Sequence, residues 1–290
     1  MKKIQSVLLG IFFLIAAYII WQWQELRRFR VTHYDLSNEK LTEPHRFAVL
    51  ADVHLWQYGP HNQRLVEAIQ AEKPDVILMP GDLIVSTHPE HFSKAFDLME
   101  QLVKIAPVYF SNGNHESRLE QPTHKNYAAY QQLKQQLTAL GVHFLNNASE
   151  SLSLGGDTIT ISGLELPLSY YKKGEEKPLR KRRIKSLLGR ADRTHYQILL
   201  AHTPTYIPIY FSWGADLCLS GHYHGGLVCI PGIGSVISPQ FQLFPTYSFG
   251  RFDEDSKSAL VSRGLGTHTF HVRIFNQAEV LIVDAGPKRS

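Results

Sequence analysis

An α/β fold preceded by one membrane-spanning helix is the architecture this sequence predicts. Three observations carry that expectation. Residues 4–24 contain no charged side chain. From Arg46 to Gly141, short apolar runs alternate with stretches of helical periodicity. From Ser151 onward, strand-like runs dominate. Of the 290 residues, 43% are hydrophobic and 19% charged, which suits one sizeable core or at most two small domains and excludes wholesale disorder. A net charge of +4 argues neither for nor against nucleic acid.

The uncharged N-terminal stretch, as a helix rising about 1.5 Å per residue, covers roughly 31 Å, close to a hydrocarbon core of about 30 Å. Tyr18, Trp21 and Trp23 sit towards one end, as interfacial aromatics do. The run ends in Tyr18-Ile19-Ile20-Trp21 and lacks the small-x-small pattern of a cleavage site. Residues 1–24 are therefore expected to be an uncleaved, single-pass anchor in the cell membrane. Lys2 and Lys3 before the span nearly balance Arg27, Arg28 and Arg30 after it, so charge leaves open which side of the membrane holds the rest of the chain.

Residues 25–44 read as a polar linker containing one short strand, and residues 45–290 as the main folded domain. In that domain Phe47–Ala51 is an apolar strand, and Asn62–Glu72 is helical by the spacing of Leu65, Ala68 and Ile69. Val76–Met79 is a strand, Phe92–Val103 a helix, Pro107–Phe110 a strand, and Tyr127–Leu140 a helix that closes at Gly141. This order implies a sheet with helices on its faces. Ser151–Leu154 and Thr158–Ser162 form a hairpin across Gly155-Gly156-Asp157. Gln197–Ala201, Asp216–Ser220, Ala259–Ser262 and Glu279–Val283 are further strands. Cys218 and Cys229 stand in apolar runs without a CxxC pattern and are expected to be buried thiols.

Residues 172–193 hold ten Lys/Arg against three Asp/Glu. Leu179, Ile184, Leu187 and Leu188 are spaced for one side of a helix. The segment reads either as a solvated helix on an insertion or as a basic amphipathic cap for anionic lipid or substrate. It lacks interleaved aromatics apart from Tyr170 and Tyr171, so no stable nucleic-acid partner is expected.

Histidine is abundant, with 15 residues, and several stand in tight motifs just after expected strands. The motifs are Asp52-Val53-His54, Gly81-Asp82, Gly113-Asn114-His115-Glu116, Ala201-His202-Thr203 and Gly221-His222-Tyr223-His224. Loops at the carboxyl ends of strands are where α/β sheets build sites, so the five can converge. Imidazoles and carboxylates suit divalent Mn, Zn, Fe or Co. An Asp-x-His or His-x-His pair on extended backbone would point both side chains the same way. Alone, each motif is weak; all five in this order are not.

In order and spacing, the set resembles the calcineurin-like metallophosphoesterase superfamily, over about Phe47 to Gly226. Ser262-Arg263-Gly264-Leu265-Gly266 is similar to its small membrane-associated bacterial members. The resemblance implies a two-sheet β-sandwich flanked by helices. It implies two divalent metal ions: Asp52, His54 and His224 at the first, Asn114, His202 and His222 at the second, Asp82 bridging both. His115 would face the substrate and protonate the leaving oxygen or stabilise transition-state charge, with Glu116 as a candidate to orient its ring. The implied reaction is hydrolysis of phosphomono-, phosphodi- or pyrophosphate esters by a metal-bridging hydroxide. Some family members act on UDP-diacylglucosamine, and the anchor and basic segment favour a lipid-linked substrate of that kind. A non-catalytic scaffold is disfavoured because every ligand position and His115 are intact. Arg118 is a candidate phosphate contact. His88 and His91 are expected in solvent and His143 and His195 in structural roles, Tyr223 is expected to pack, and His268 and His271 either line the cleft or pack.

Overall fold

Apolar runs of four to nine residues become strands here because each buries one or both faces against a helical layer or a facing sheet. The computed structural model describes residues 2–172, 177–230, 232–238, 242–267 and 271–288. In chain order the elements are α1 (Lys2–Glu25), β1 (Phe29–Ser37), β2 (His45–Val49), α2 (Gln63–Glu72), β3 (Val76–Met79), α3 (Phe92–Leu102), β4 (Val108–Phe110), α4 (Asn114–Leu119), α5 (Tyr127–Ala139) and β5 (His143–Phe144). There follow β6 (Ala148–Leu154), β7 (Asp157–Leu164), α6 (Lys181–Leu188), β8 (Tyr196–Ala201), α7 (Ile207–Trp213), β9 (Leu217–Ser220), β10 (Val228–Ile230), β11 (Gly234–Ile237), β12 (Gly250–Glu254), β13 (Lys257–Val261) and β14 (Ala278–Gly286).

The strands form two six-stranded sheets, ordered β1-β14-β2-β3-β4-β5 and β12-β13-β9-β8-β7-β6, and a separate β10–β11 hairpin. Side chains alternate across each sheet, so successive residues serve different cores. Phe47, Val49 and Leu78 of the first sheet meet Ile159, Ile198 and Leu219 of the second in a shared inner core. Ala48, Ile77 and Met79 face the other way, onto α2, α3 and α5 through Leu65, Ile69, Leu98 and Leu133. On the second sheet, Leu199, Cys218 and Val261 face Ile184 of α6 and Ile207, Phe211 and Trp213 of α7. The result is the expected sandwich of two sheets between helices. Burying side chains of this size contributes about 1.5–3 kcal/mol each.

β2, β3 and β4 run parallel, as do β7, β8 and β9, with β13 parallel to β9. Their carboxyl ends lead into the motif loops, and this brings the motifs together.

One expectation needs correction, and two elements need adding to it. Residues 29–37, read as part of a linker, form a nine-residue strand that pairs in parallel with β14 from Phe29↔Ala278 to Ser37↔Gly286. Their alternation is weak because an edge strand buries little of itself: only Leu36 is fully covered. α7 was not expected; its seven residues are too short and too uniformly apolar to show a helical period. The basic segment forms α6 over part of its length, with Leu179 and Ile184 buried, while its residues 173–176 lie outside the described residues.

Cys218 and Cys229 are buried free thiols, as expected, and burial pushes the Cys218 thiol up to about 12. Among the described residues, Ile4–Glu25 is the one helix long and apolar enough to cross a membrane, a property signal sequences share. Its apolar side chains stand exposed.

Candidate metal centre

The five motifs meet at one place. Backbone hydrogen bonds tie their loops together before any side chain is considered: Asp52 N donates to Gly81 O, His54 N to Asp82 O, and Gly221 N to His202 O. Gly81 adopts a φ of 95°, and a Cβ there would lie 2.5 Å from the Gly113 nitrogen, so only glycine lets these two loops touch.

Period-two alternation on extended backbone is not what aligns Asp52 with His54 or His222 with His224. These four and Asp82 all have φ between 49° and 74°, in the left-handed region. Non-glycine residues rarely rest there, and the strain is characteristic of functional loops. Asn114, His115 and Glu116 are also not in a loop; they form the first turn of α4.

All eight predicted site residues are buried and adjacent. Ligand atoms of Asp52, His54 and His224 lie within 4.8 Å of one another, as do those of Asp82, His202 and His222, and those of His54, Asp82 and His115. His202 Nε2 is 3.1 Å from Asp82 Oδ2 and 3.8 Å from Asp52 Oδ1. His224 Nε2 is 3.7 Å from Asp52 Oδ1, and His54 Nε2 is 3.8 Å from Asp82 Oδ2.

Ring tautomers sort the histidines. A carbonyl only accepts, so an imidazole nitrogen bonded to one must carry the proton. Nδ1 of His202 donates to Pro80 O at 2.8 Å, Nδ1 of His54 to Ile84 O at 3.3 Å, and Nδ1 of His224 to Gly266 O at 3.2 Å. In each ring Nε2 is thereby the atom turned to the carboxylates, the arrangement that orients metal-bound imidazoles. His54 Nε2 and His224 Nε2 face each other at 3.1 Å, a pairing that requires a positive charge, proton or cation, between them. His202 Nε2 is buried and faces Asp82 Oδ2 at 3.1 Å without the alignment of a hydrogen bond. His115 differs from these three: its Nδ1 accepts from the Ser86 amide at 3.1 Å, leaving the proton on Nε2.

Asn114 behaves similarly. With its oxygen towards His222 Nδ1, two acceptors oppose each other, a conflict that a cation between them would relieve. With the amide turned over, its nitrogen donates to His222 Nδ1 at 2.9 Å and its oxygen accepts from Arg118 at 3.2 Å. Arg118 is thus beside the cluster.

The electrostatics point the same way. Burial pushes the Asp52 carboxyl up to about 7, against the pull of His202. Burial also opposes ionisation of Asp82, but the imidazoles of His202, His115 and His54 outweigh it and hold its carboxyl well below the usual range. Burial opposes charge on His202, yet Asp82 and then Asp52 push it up to about 9. Burial and the neighbouring His202 drive His222 well below the ordinary imidazole range. The two carboxylates call for positive charge where several imidazoles present ring nitrogens. Oxygen and imidazole donors of this kind fit a divalent transition ion, and the described clusters can hold metal.

Glu116 does not orient the His115 ring. Its carboxylate accepts from the amides of Asp82, Gly113 and Ile84 at 2.9, 2.9 and 3.1 Å, pinning the Asp82 loop to α4. Burial, and then the Asp82 charge, push it up to about 8.

Three supporting residues had no clear sequence signal. The Tyr171 ring meets His222 edge-on with centroids 5.1 Å apart. Arg273, fully buried, donates to the carbonyls of Gly264 at 3.1 Å and Gly266 at 2.9 Å. Gly266 also receives the His224 Nδ1 proton, and its amide donates to Asp52 O at 2.6 Å. The segment after β13 is therefore the back wall of the cluster. Asn276 Nδ2 donates to His224 O at 2.6 Å.

His88 and His91 are exposed, as expected. His143 pairs with Glu150 and His195 with Thr160. Tyr223 packs against the His222 ring and bonds Thr205. His271 bonds Thr267 and packs near Trp56, whereas His268 lies outside the described residues.

Comparison with known proteins agrees with this geometry. The family model for calcineurin-like phosphoesterases matches residues 45–226, more than half of the chain. The chain is 27% identical to the uncharacterized metallophosphoesterase YkuE of Bacillus subtilis over 238 residues, 80% of this chain and 76% of that one. It is 24% identical to the phosphodiesterase YaeI of Escherichia coli over 265 residues, covering 90% and 88%. Among solved structures, TT1561 of Thermus thermophilus superposes with a TM-score of 0.47 at 12% identity, covering 76% of this chain and 90% of that one. The chain belongs to the calcineurin-like phosphoesterase family and is a metal-dependent phosphoric ester hydrolase.

Proposed function

We propose that the protein is a membrane-anchored phosphoesterase with a dinuclear metal centre, hydrolysing phosphomono-, phosphodi- or pyrophosphate esters. In this reading Asp52, His54 and His224 hold one divalent cation, Asn114, His202 and His222 hold the other, and Asp82 spans both. The tautomer pattern is the observation that carries it: three rings donate Nδ1–H to backbone carbonyls and turn Nε2 inward, while His115 has the opposite arrangement. Bound there, two cations would ionise a water near neutral pH and neutralise charge on the phosphoryl oxygens.

The chain's own residues do the rest. The His115 ring, its Nδ1 fixed by the Ser86 amide, presents Nε2–H as a hydrogen-bond donor to the charge that develops on the phosphoryl and departing oxygens. Arg118, beside Asn114, supplies a fixed cation for the substrate phosphate. Glu116 keeps the Asp82 loop and α4 in register, so that both carboxylates and Asn114 act on one volume. α1 anchors the domain, and the exposed basic side of α6 offers contacts to anionic lipid or substrate.

The test is hydrolysis by the full chain purified without chelator. An aryl phosphomonoester and a bis-aryl phosphodiester are compared with and without added Mn, and bound metal is counted. Metal-dependent turnover of either ester, absent in Asp82→Ala, is expected. A protein that binds no metal and turns over neither ester overturns the proposal.

A further inference from the structure

Outside α1, the described residues expose five large apolar side chains to solvent: Ile230, Ile233, Leu243, Phe244 and Phe275, at 42%, 67%, 64%, 63% and 63%. Scattered singly, such residues would need no explanation. These are joined by backbone hydrogen bonds into one surface. The β10–β11 hairpin, which carries Ile230 and Ile233, is bonded on one side to Ile274, through Cys229 N to Ile274 O and Ile274 N to Leu227 O. On its other side Phe244 N donates to Val236 O, and Ile237 bridges to Leu243.

This surface is continuous with α1. The Trp21 ring lies 5.7 Å from that of Phe275. Gln22 clasps the backbone of Arg273 from both sides: its Nε2 donates to Arg273 O at 3.1 Å, and its Oε1 accepts from Arg273 N at 3.1 Å. Helix length then fixes the depth. From Ile4 to Trp21 is about 26 Å at 1.5 Å per residue, less than a hydrocarbon core of about 30 Å. If α1 crosses the bilayer, Trp21 reaches no further than the near interface, and Phe275 is held at that level with it. The Arg27 guanidinium stacks 3.7 Å from the Trp23 ring, where lipid phosphates would meet it.

The same surface is continuous with the metal cluster. The hairpin begins four residues after His224, and Asn276, next to Phe275, holds the His224 carbonyl. His222 and His224, at 8% and 6%, are the least covered of the candidate ligands, and His224 is the one that Asn276 ties to this surface.

We propose that the β10–β11 hairpin, Leu243–Phe244 and Phe275 form an apolar rim that docks into the bilayer crossed by α1 and seats the mouth of the metal cluster at the lipid–water interface. The phosphate esters that fit this mouth are those held at that interface, with the ester in the headgroup layer and the apolar part in the membrane. This deepens the phosphoesterase reading and rests on it for substrate class; the docking itself rests only on α1 and the rim.

A depth measurement on the full chain tests it, reconstituted in vesicles of phosphatidylcholine and phosphatidylglycerol. Nitroxide labels are placed at Ile233→Cys and Phe244→Cys, at Leu14→Cys within α1, and at Gln135→Cys on the exposed side of α5. Cys218 and Cys229 are buried and leave the label to the introduced thiols. Collision with dissolved oxygen is compared with collision with a water-soluble nickel chelate. The oxygen-to-nickel ratio at 233 and 244 is expected to exceed that at 135 several-fold and to approach that at 14. A ratio at 233 and 244 equal to that at 135 overturns the proposal. So does spin–spin broadening at these sites that vanishes on dilution with unlabelled protein, because a second copy then covers the rim. A label at 14 that stays in water overturns it as well. No turnover enters the readout, so a protein that docks but hydrolyses no ester loses only the substrate assignment.

Discussion

Among the described residues, histidine is buried against aspartate in two places, and the two are finished differently. His45 and Asp157 form a pair in which both side chains are 3% exposed and 2.8 Å apart. Asp157 also accepts from Thr42 Oγ1 at 2.6 Å and from the amides of Thr42 and Glu43 at 2.9 and 3.2 Å. Burial works against its charge, but these hydrogen bonds outweigh it and hold the carboxyl at about 2. In the motif cluster, one carboxyl is pushed up and the other down, imidazole nitrogens face each other, and His202 Nε2 faces Asp82 without the alignment of a hydrogen bond. Residue type and burial are alike. Completeness differs: the first site is satisfied by the chain itself, the second only by something that brings positive charge.

Perturbation separates the two. Asp82→Ala is expected to lower kcat/KM by at least about 10³-fold, the scale lost when a group organising transition-state charge is removed, with an unchanged far-ultraviolet circular dichroism spectrum. Near-normal turnover by that folded variant would end the functional reading of the cluster. Next, His115→Ala should reduce kcat by about 10²–10³-fold, the range of a lost hydrogen-bond donor to transition-state charge. Bound metal, counted by elemental analysis, should not change, which distinguishes a hydrogen-bond donor from a ligand.

Asp157→Ala should do the reverse and cost about 3 kcal/mol of stability in denaturant titrations, as removing one partner of a buried pair does, while leaving the metal count and turnover of the folded protein intact. Because folding lowers the Asp157 pKa from 3.8 to about 2, the carboxylate contributes fully above about pH 4 and loses its contribution as pH falls through about 2. The stability gap between wild type and Asp157→Ala should close over that window. The smallest effect expected is on thermal stability. Mn at about 100 times its dissociation constant adds roughly 2.7 kcal/mol, raising Tm in wild type and in Asp157→Ala but not in Asp82→Ala. An equal rise in all three would place the ion elsewhere.

The contrast also explains what the sequence made legible. Chemistry-bearing residues were readable because they come in short motifs at strand ends, and five such motifs constrain one another. Core strands such as Val76–Met79 were readable because residues buried on both faces leave an unbroken apolar run. The left-handed backbone at Asp52, His54 and His222 was not readable, since Asp and His, though enriched there, adopt positive φ only in a minority of cases. Nor was the role of Glu116, whose partners are backbone amides of any sequence. Arg273 gives no signal because the carbonyls it binds belong to residues brought near only by the fold. β1 was hidden for the opposite reason to β3: an edge strand need not be apolar.

The pairing of β1 with β14 sets an order of events during synthesis. β1 leaves the ribosome directly after α1, but its partner comprises residues 278–286. β14 also separates β1 from β2, so the first sheet has a gap until that strand arrives. Closing so long a loop is slow and late. The back wall of the cluster, through Arg263 N bonded to Glu279 of β14, waits for the same strand. A chain that still lacks β14 therefore has neither a closed first sheet nor the back wall of its cluster.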